Sequence, residues 1–142
     1  MNCNEITDRV RNYWNETSDS EWYRSLRSED KISRLKEKPG SAFHPAVIEL
    51  IRKYLPDMKD KHILLPSSGD NHAAFAFALM GARVTSADIS ERQLENASVI
   101  AAQLGLDIEF ICDDNDEIVT YPRSGLRYGV HVKRYPFVDK RH

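Results

Sequence analysis

Cysteine is scarce in this chain: Cys3 and Cys112 stand far apart, with no partners at metal-ligand spacing. That pattern reads as two free thiols in a reducing compartment, and so as a cytoplasmic protein. The start lacks a basic stretch followed by an apolar one, so no secretory leader is expected. No uninterrupted apolar run is long enough to cross a bilayer. An excess of one charge is missing as well. Lys and Arg number 20 against 22 Asp and Glu, and the net charge of -2 gives no general attraction to nucleic acid or membranes. No Gly-Lys-Ser/Thr sequence is present, which excludes a P-loop, and Ser67-Ser68-Gly69 is not the nucleophile elbow of a hydrolase. Internal repeats, low-complexity linkers and metal-binding clusters are absent from the sequence.

What is present is an ordinary globular composition, 41% hydrophobic and 30% charged over 142 residues, enough for one domain with a real core. Its organising stretch runs from Lys61 to Asp114. The apolar run Ile63-Leu64-Leu65 stops at Pro66, and a small-residue turn, Ser67-Ser68-Gly69, follows. Asp70 and Asn71 then open an apolar helix that closes at Gly81. A second strand ends on Asp88; after another helix a third ends on Asp113 and Asp114. Strands are expected near 62–66, 83–87 and 107–112, with weaker ones at 118–121 and 126–133. Ser90 and Gln93 form a capping box for the helix between the second and third strands, and Gly105 ends it. Short connections of this kind predict a parallel α/β sheet of Rossmann-like type with right-handed crossovers.

Residues 1–56 read as a helical layer over that core (57–114), and 115–142 as an irregular tail. Ile6, Val10, Tyr13 and Trp14 fall at helical spacing, Ser20 and Ser28 are placed as caps, and Ile32 and Leu35 are the buried positions of the helix after Ser28. Pro45 suits a first helical turn, followed by one apolar face of Val47, Ile48, Ile51, Tyr54 and Leu55. The layer either packs on the sheet or covers a ligand; Tyr13, Trp14, Tyr23, Phe43 and His44 are the candidate walls. In the tail, Arg123, Arg127, Lys133, Arg134, Lys140 and Arg141 outnumber the acids, a balance typical of a solvated surface.

A ligand of such a sheet sits outside the carboxyl ends of the strands. The Ser67-Ser68-Gly69 turn lets backbone approach it, and the following helix offers unpaired N–H groups. Asp88 can accept hydrogen bonds from two ribose hydroxyls. Asp70 either meets an amine of the ligand or caps its helix. His72 is a helix-terminal contact or a base, and Cys112 a small core residue.

The loop HILLPSSGDN, the stretch ALMGARVTSADIS and the run IEFICDD together resemble the class I (Rossmann-like) S-adenosylmethionine-dependent methyltransferases. The resemblance covers roughly Tyr13 to Asp114. It implies S-adenosylmethionine as cofactor and an unidentified methyl acceptor. The loop Pro66, Ser67, Ser68, Gly69, Asp70 and Asn71 would hold the methionine end, Asp88 with Ile89 the ribose, and Asp113 and Asp114 the adenine. The first motif is degenerate: Leu65 stands in its acidic position, Ser67 in that of the first glycine and Asn71 in that of the last. No match to the family's fourth strand follows Asn115. The chain therefore reads as a truncated member, as a non-catalytic remnant or partner subunit that at most binds the cofactor, or as a half that self-associates through its open sheet edge. A nicotinamide-dinucleotide site is the rival reading, since it too places an acid about 20 residues beyond its glycine loop.

Overall fold

The computed structural model describes residues 2–113 and the two-residue strand Lys133–Arg134. The expectations for 118–121, for 126–132, for Asp114 and for Arg123, Arg127, Lys140 and Arg141 lie outside the described residues.

Three parallel strands form the centre. They are β1 (His62–Leu65), β2 (Arg83–Asp88) and β3 (Ile108–Cys112), in that spatial order. The register sets Leu64 beside Thr85 and Thr85 beside Glu109, so one face carries Ile63, Val84, Ile108 and Phe110. That face meets α5 (His72–Leu79) and α6 (Glu91–Leu104) in one cluster with Phe75, Leu94, Ala97 and Ile100. Phe75 and Leu94 are fully buried, and side chains of this kind stabilise the fold by about 1.5–3 kcal/mol each. The strands fall where the apolar runs lie, to within a residue: β1 stops before Pro66, and β2 runs on through Asp88. A short β4 (Lys133–Arg134) adds antiparallel pairing to β3, where a parallel sheet alone was expected.

The helical layer precedes the sheet. It comprises α1 (Cys3–Thr17), α2 (Glu21–Leu26), α3 (Glu29–Glu37), a 3₁₀ turn at Pro39–Ala42 and α4 (Pro45–Tyr54). Asn2 and Glu5 close a reciprocal capping box on α1, Ser20 caps α2 and His44 caps α4. Ile32 and Leu35 are buried against the core as their spacing predicts. Two helices differ from expectation. On α4 Ile48 is buried and Ile51 packs against the core, while Val47, Tyr54 and, just past the helix, Leu55 stand in solvent. On α1 the apolar stripe also faces outward, with Ile6, Val10 and Tyr13 exposed. The reason is the same in both: the sheet face is already filled by α5 and α6, and α3 with the 3₁₀ turn closes over α5.

Candidate functional site

Between β1 and α5 the chain turns through two left-handed positions, Ser67 (φ 48°) and Gly69 (φ 53°). Between them Ser68 donates its N–H to the Ala87 carbonyl at 3.1 Å and hydrogen-bonds the Ser86 hydroxyl. The loop is thereby fastened to the end of β2. Asn71 caps α5, its Oδ1 accepting from Ala73 N–H at 2.9 Å. Asp70, the expected cap or amine contact, does something else: Arg27 Nη1 donates to its Oδ2 at 2.8 Å. Both partners are largely buried, and Arg27 Nη2 also donates to the Ser18 carbonyl at 3.0 Å. A salt bridge thus clips the junction after α2 onto the loop.

Asp88 is 6% exposed and holds the site together. Gly69 N–H donates to Oδ2 and Ser90 N–H to Oδ1, each at 2.8 Å. Burial raises the carboxyl above its ordinary value, against the lowering effect of the N–H groups of Ser90, Gly69 and Ile89. Each carboxylate oxygen can accept more than one hydrogen bond, so acceptor capacity remains beyond the backbone.

The start of α6 departs from the expected capping box. Ser90 Oγ accepts from Gln93 N–H at 3.2 Å, but the N–H of Ser90 is taken by Asp88. The Gln93 side chain turns instead toward the loop: a Cβ added to Gly69 would collide with Gln93 Oε1. Only glycine permits this approach. Gln93 is buried and its Nε2 has no hydrogen-bond partner among the described residues. Its amide also faces the Tyr23 phenol, whose pKa is raised chiefly by burial and then by Asp70, with Gln93 acting the other way.

These groups surround a cavity of about 540 Å³ at the carboxyl ends of the strands. Among the expected site residues, Trp14, Tyr23, Ser67, Ser68, Asp70, Asn71, Asp88 and Ile89 line it. Gly69 lies just behind the wall, shielded by Gln93. Pro66 is exposed beside the turn, and Asp113 N–H donates to the Asp88 carbonyl at 2.9 Å. Three wall candidates sit elsewhere, Tyr13 among them, on the outer side of α1. Phe43 packs on Phe77 with ring centroids 5.1 Å apart, and His44 accepts from Ala46 N–H at the start of α4.

The cavity gains residues that the sequence did not single out, among them Val10, Trp22, Leu26 and Gln93. A capping-box spacing disguised Gln93, and nothing local marked Arg27. His72 also lines the cavity, its Nε2 bonded to the Leu26 carbonyl at 2.9 Å. A carbonyl accepts only, so Nε2 carries the proton and Nδ1 is left as the ring's acceptor. Burial, outweighing the Leu26 bond, lowers its pKa below the ordinary histidine value. The layer is tied down next to this wall: Asn15 Oδ1 accepts from Ser90 Oγ at 2.7 Å and Arg92 N–H at 3.2 Å, and Arg92 forks onto Asp19.

No protein-family model matches the sequence. No curated protein matches it either. Among solved structures, the chain is similar to two of magnesium protoporphyrin IX methyltransferase from Synechocystis PCC 6803, each at 20% sequence identity. One has bound SAH (TM-score 0.55) and covers 76% of this chain and 51% of its own. The other has bound SAM (TM-score 0.56) and covers 76% of this chain and 54% of its own. The chain spans about half the length of the structures it matches. The α/β sheet with its helical layer is thus the Rossmann-like fold of methyltransferases.

Proposed function

We propose that this chain binds S-adenosylmethionine in the cavity between the loop after β1 and the helical layer, and serves methyl transfer to an acceptor. The observation that carries the reading is Asp88: a buried carboxylate at the end of β2, lining the cavity and clamped by Gly69 N–H and Ser90 N–H. Clamped so, its remaining lone pairs are fixed in direction for two vicinal ribose hydroxyls. The Gln93 side chain, on the same cavity wall, offers a further polar group. The SAH and SAM bound in the two matched structures support the choice of ligand. S-adenosylmethionine carries no phosphate, so the single glycine of the loop suffices where a dinucleotide would call for three.

When bound, the cofactor supplies a methyl group on a positively charged sulfur. The chain's own residues position and shield. Ile89 gives an apolar wall, and Trp14 and Tyr23 exclude water while their ring faces suit a cation. His72, neutral and fixed in tautomer, keeps Nδ1 available to take a proton from an acceptor.

Calorimetric titration with S-adenosylhomocysteine, with NADH as control, tests the reading. Micromolar binding of the first alone is expected. Asp88→Ala weakens that binding by about 2–3 kcal/mol through two lost charge-assisted hydrogen bonds. Unchanged affinity in a variant shown to be folded by circular dichroism would remove Asp88 from the ribose.

A further inference from the structure

The apolar stripe of α1 is turned the wrong way for a packing helix. Ile6, Val10 and Tyr13 recur at one helical face, and amphipathic helices bury that face. Here these residues are 49%, 41% and 60% exposed. They bound a shallow shelf of about 490 Å³, lined by Ile6, Arg9, Val10, Tyr13 and Trp14. Val10 and Trp14 line both this shelf and the cavity that Asp88 faces. The two concavities are therefore neighbours across one wall of uncharged side chains, with Trp22, 63% exposed, also on the cavity side.

We infer that the shelf is the seat of the methyl acceptor, and that the acceptor is a flat, apolar ring system bearing a nucleophilic heteroatom; this rests on the S-adenosylmethionine reading above. The geometry of the rings argues for flatness. Tyr13 and Trp14 meet edge to face, 5.2 Å apart and inclined at 79°, so that they present two surfaces at near right angles. A planar ring laid on one and abutting the other gains stacking and edge contacts together. Charge argues against a peptide or nucleic-acid occupant: of the residues lining the shelf, only Arg9 is ionised. Position argues for an acceptor rather than a partner chain. Transfer demands that the nucleophile come within about 3–3.5 Å of the methyl carbon, and Val10 and Trp14 mark where the shelf adjoins the cofactor cavity. In the step, a lone pair of the acceptor heteroatom forms the bond to the methyl carbon. The carbon–sulfur bond breaks with its electrons going to sulfur, and the heteroatom's proton passes to His72 Nδ1 or water.

The test titrates 2-naphthol, a flat apolar nucleophile, into the full chain with and without saturating S-adenosylhomocysteine, by calorimetry. Saturable one-to-one binding is expected, with decanol, more apolar but not flat, at least fivefold weaker. The double variant Ile6→Asp, Tyr13→Ser changes two exposed positions and is expected to lose naphthol affinity tenfold or more while holding S-adenosylhomocysteine affinity within twofold. No naphthol binding, equal binding to the variant, or equal binding of decanol overturns the inference. So does a dimer in sedimentation, or co-sedimentation with phosphatidylglycerol vesicles, that the variant abolishes; these outcomes would assign the stripe to a second copy or a lipid surface. Failure of S-adenosylhomocysteine to bind overturns the cofactor reading separately, because naphthol titration of the ligand-free chain still reads the shelf.

Discussion

Ser67 has a side chain where the backbone prefers none. At φ 48° it occupies the left-handed region, which costs a residue with a Cβ about 1–2 kcal/mol. Ser67→Gly is expected to raise stability by roughly 0.5–1 kcal/mol after the entropy of glycine is subtracted, read as an upward shift in urea midpoint. Serine there also explains why the loop was hard to read: only Gly69 of the expected glycines is present, yet the turn forms, because Ser68 anchors it to Ala87 and Ser86. His72 supplies a pH dependence. Its folded pKa lies below 6.5, with burial as the main cause. The unfolded chain therefore binds the proton more readily, so stability present above about pH 6.5 is lost as pH falls toward the folded value. Urea midpoints measured from pH 7.5 to 5 should fall, and His72→Gln should flatten that slope.

At the scale of elements, α1 and α6 share a joint. Asn15 Oδ1 accepts from Ser90 Oγ and Arg92 N–H, so the end of one helix closes the start of the other. Asn15→Ala removes both bonds and is expected to cost about 1–2 kcal/mol. Faster amide hydrogen exchange through 3–17, with β2 and β3 unchanged, would mark the loss as local. The strands and helices of the core were legible in the sequence because their apolar runs are bounded by Pro66, Gly81 and Gly105. Asp88 was legible for the same reason, as the acid that ends a strand. What stayed hidden depends on long-range pairing. Gln93 looks like a cap, yet turns to Gly69; Asp70 looks like a cap, yet takes Arg27, 43 positions away in the chain. The α1 stripe was legible as amphipathic, but local spacing does not say which face finds a core.

Across the whole molecule, the helical layer and the sheet unit are joined where the cavity lies. Arg27, itself anchored to the Ser18 carbonyl within the layer, crosses that seam to Asp70, and Arg92 crosses it to Asp19. The first is the deeper link, with side chains 15% and 4% exposed. Arg27→Met leaves the Asp70 carboxylate buried without its cation and is expected to destabilise the chain by about 3–5 kcal/mol. Adding Asp70→Asn should recover part of that loss, and urea denaturation of both single variants and the double, against the parent chain, gives the coupling.

Trp14 and Trp22 both line the cavity, and they are the only two tryptophans of the sequence. The indole emission of the protein is therefore a private optical channel. Its colour reports how wet the cavity and the shelf that shares Trp14 are, its brightness reports what has come to rest there, and the core beneath stays dark.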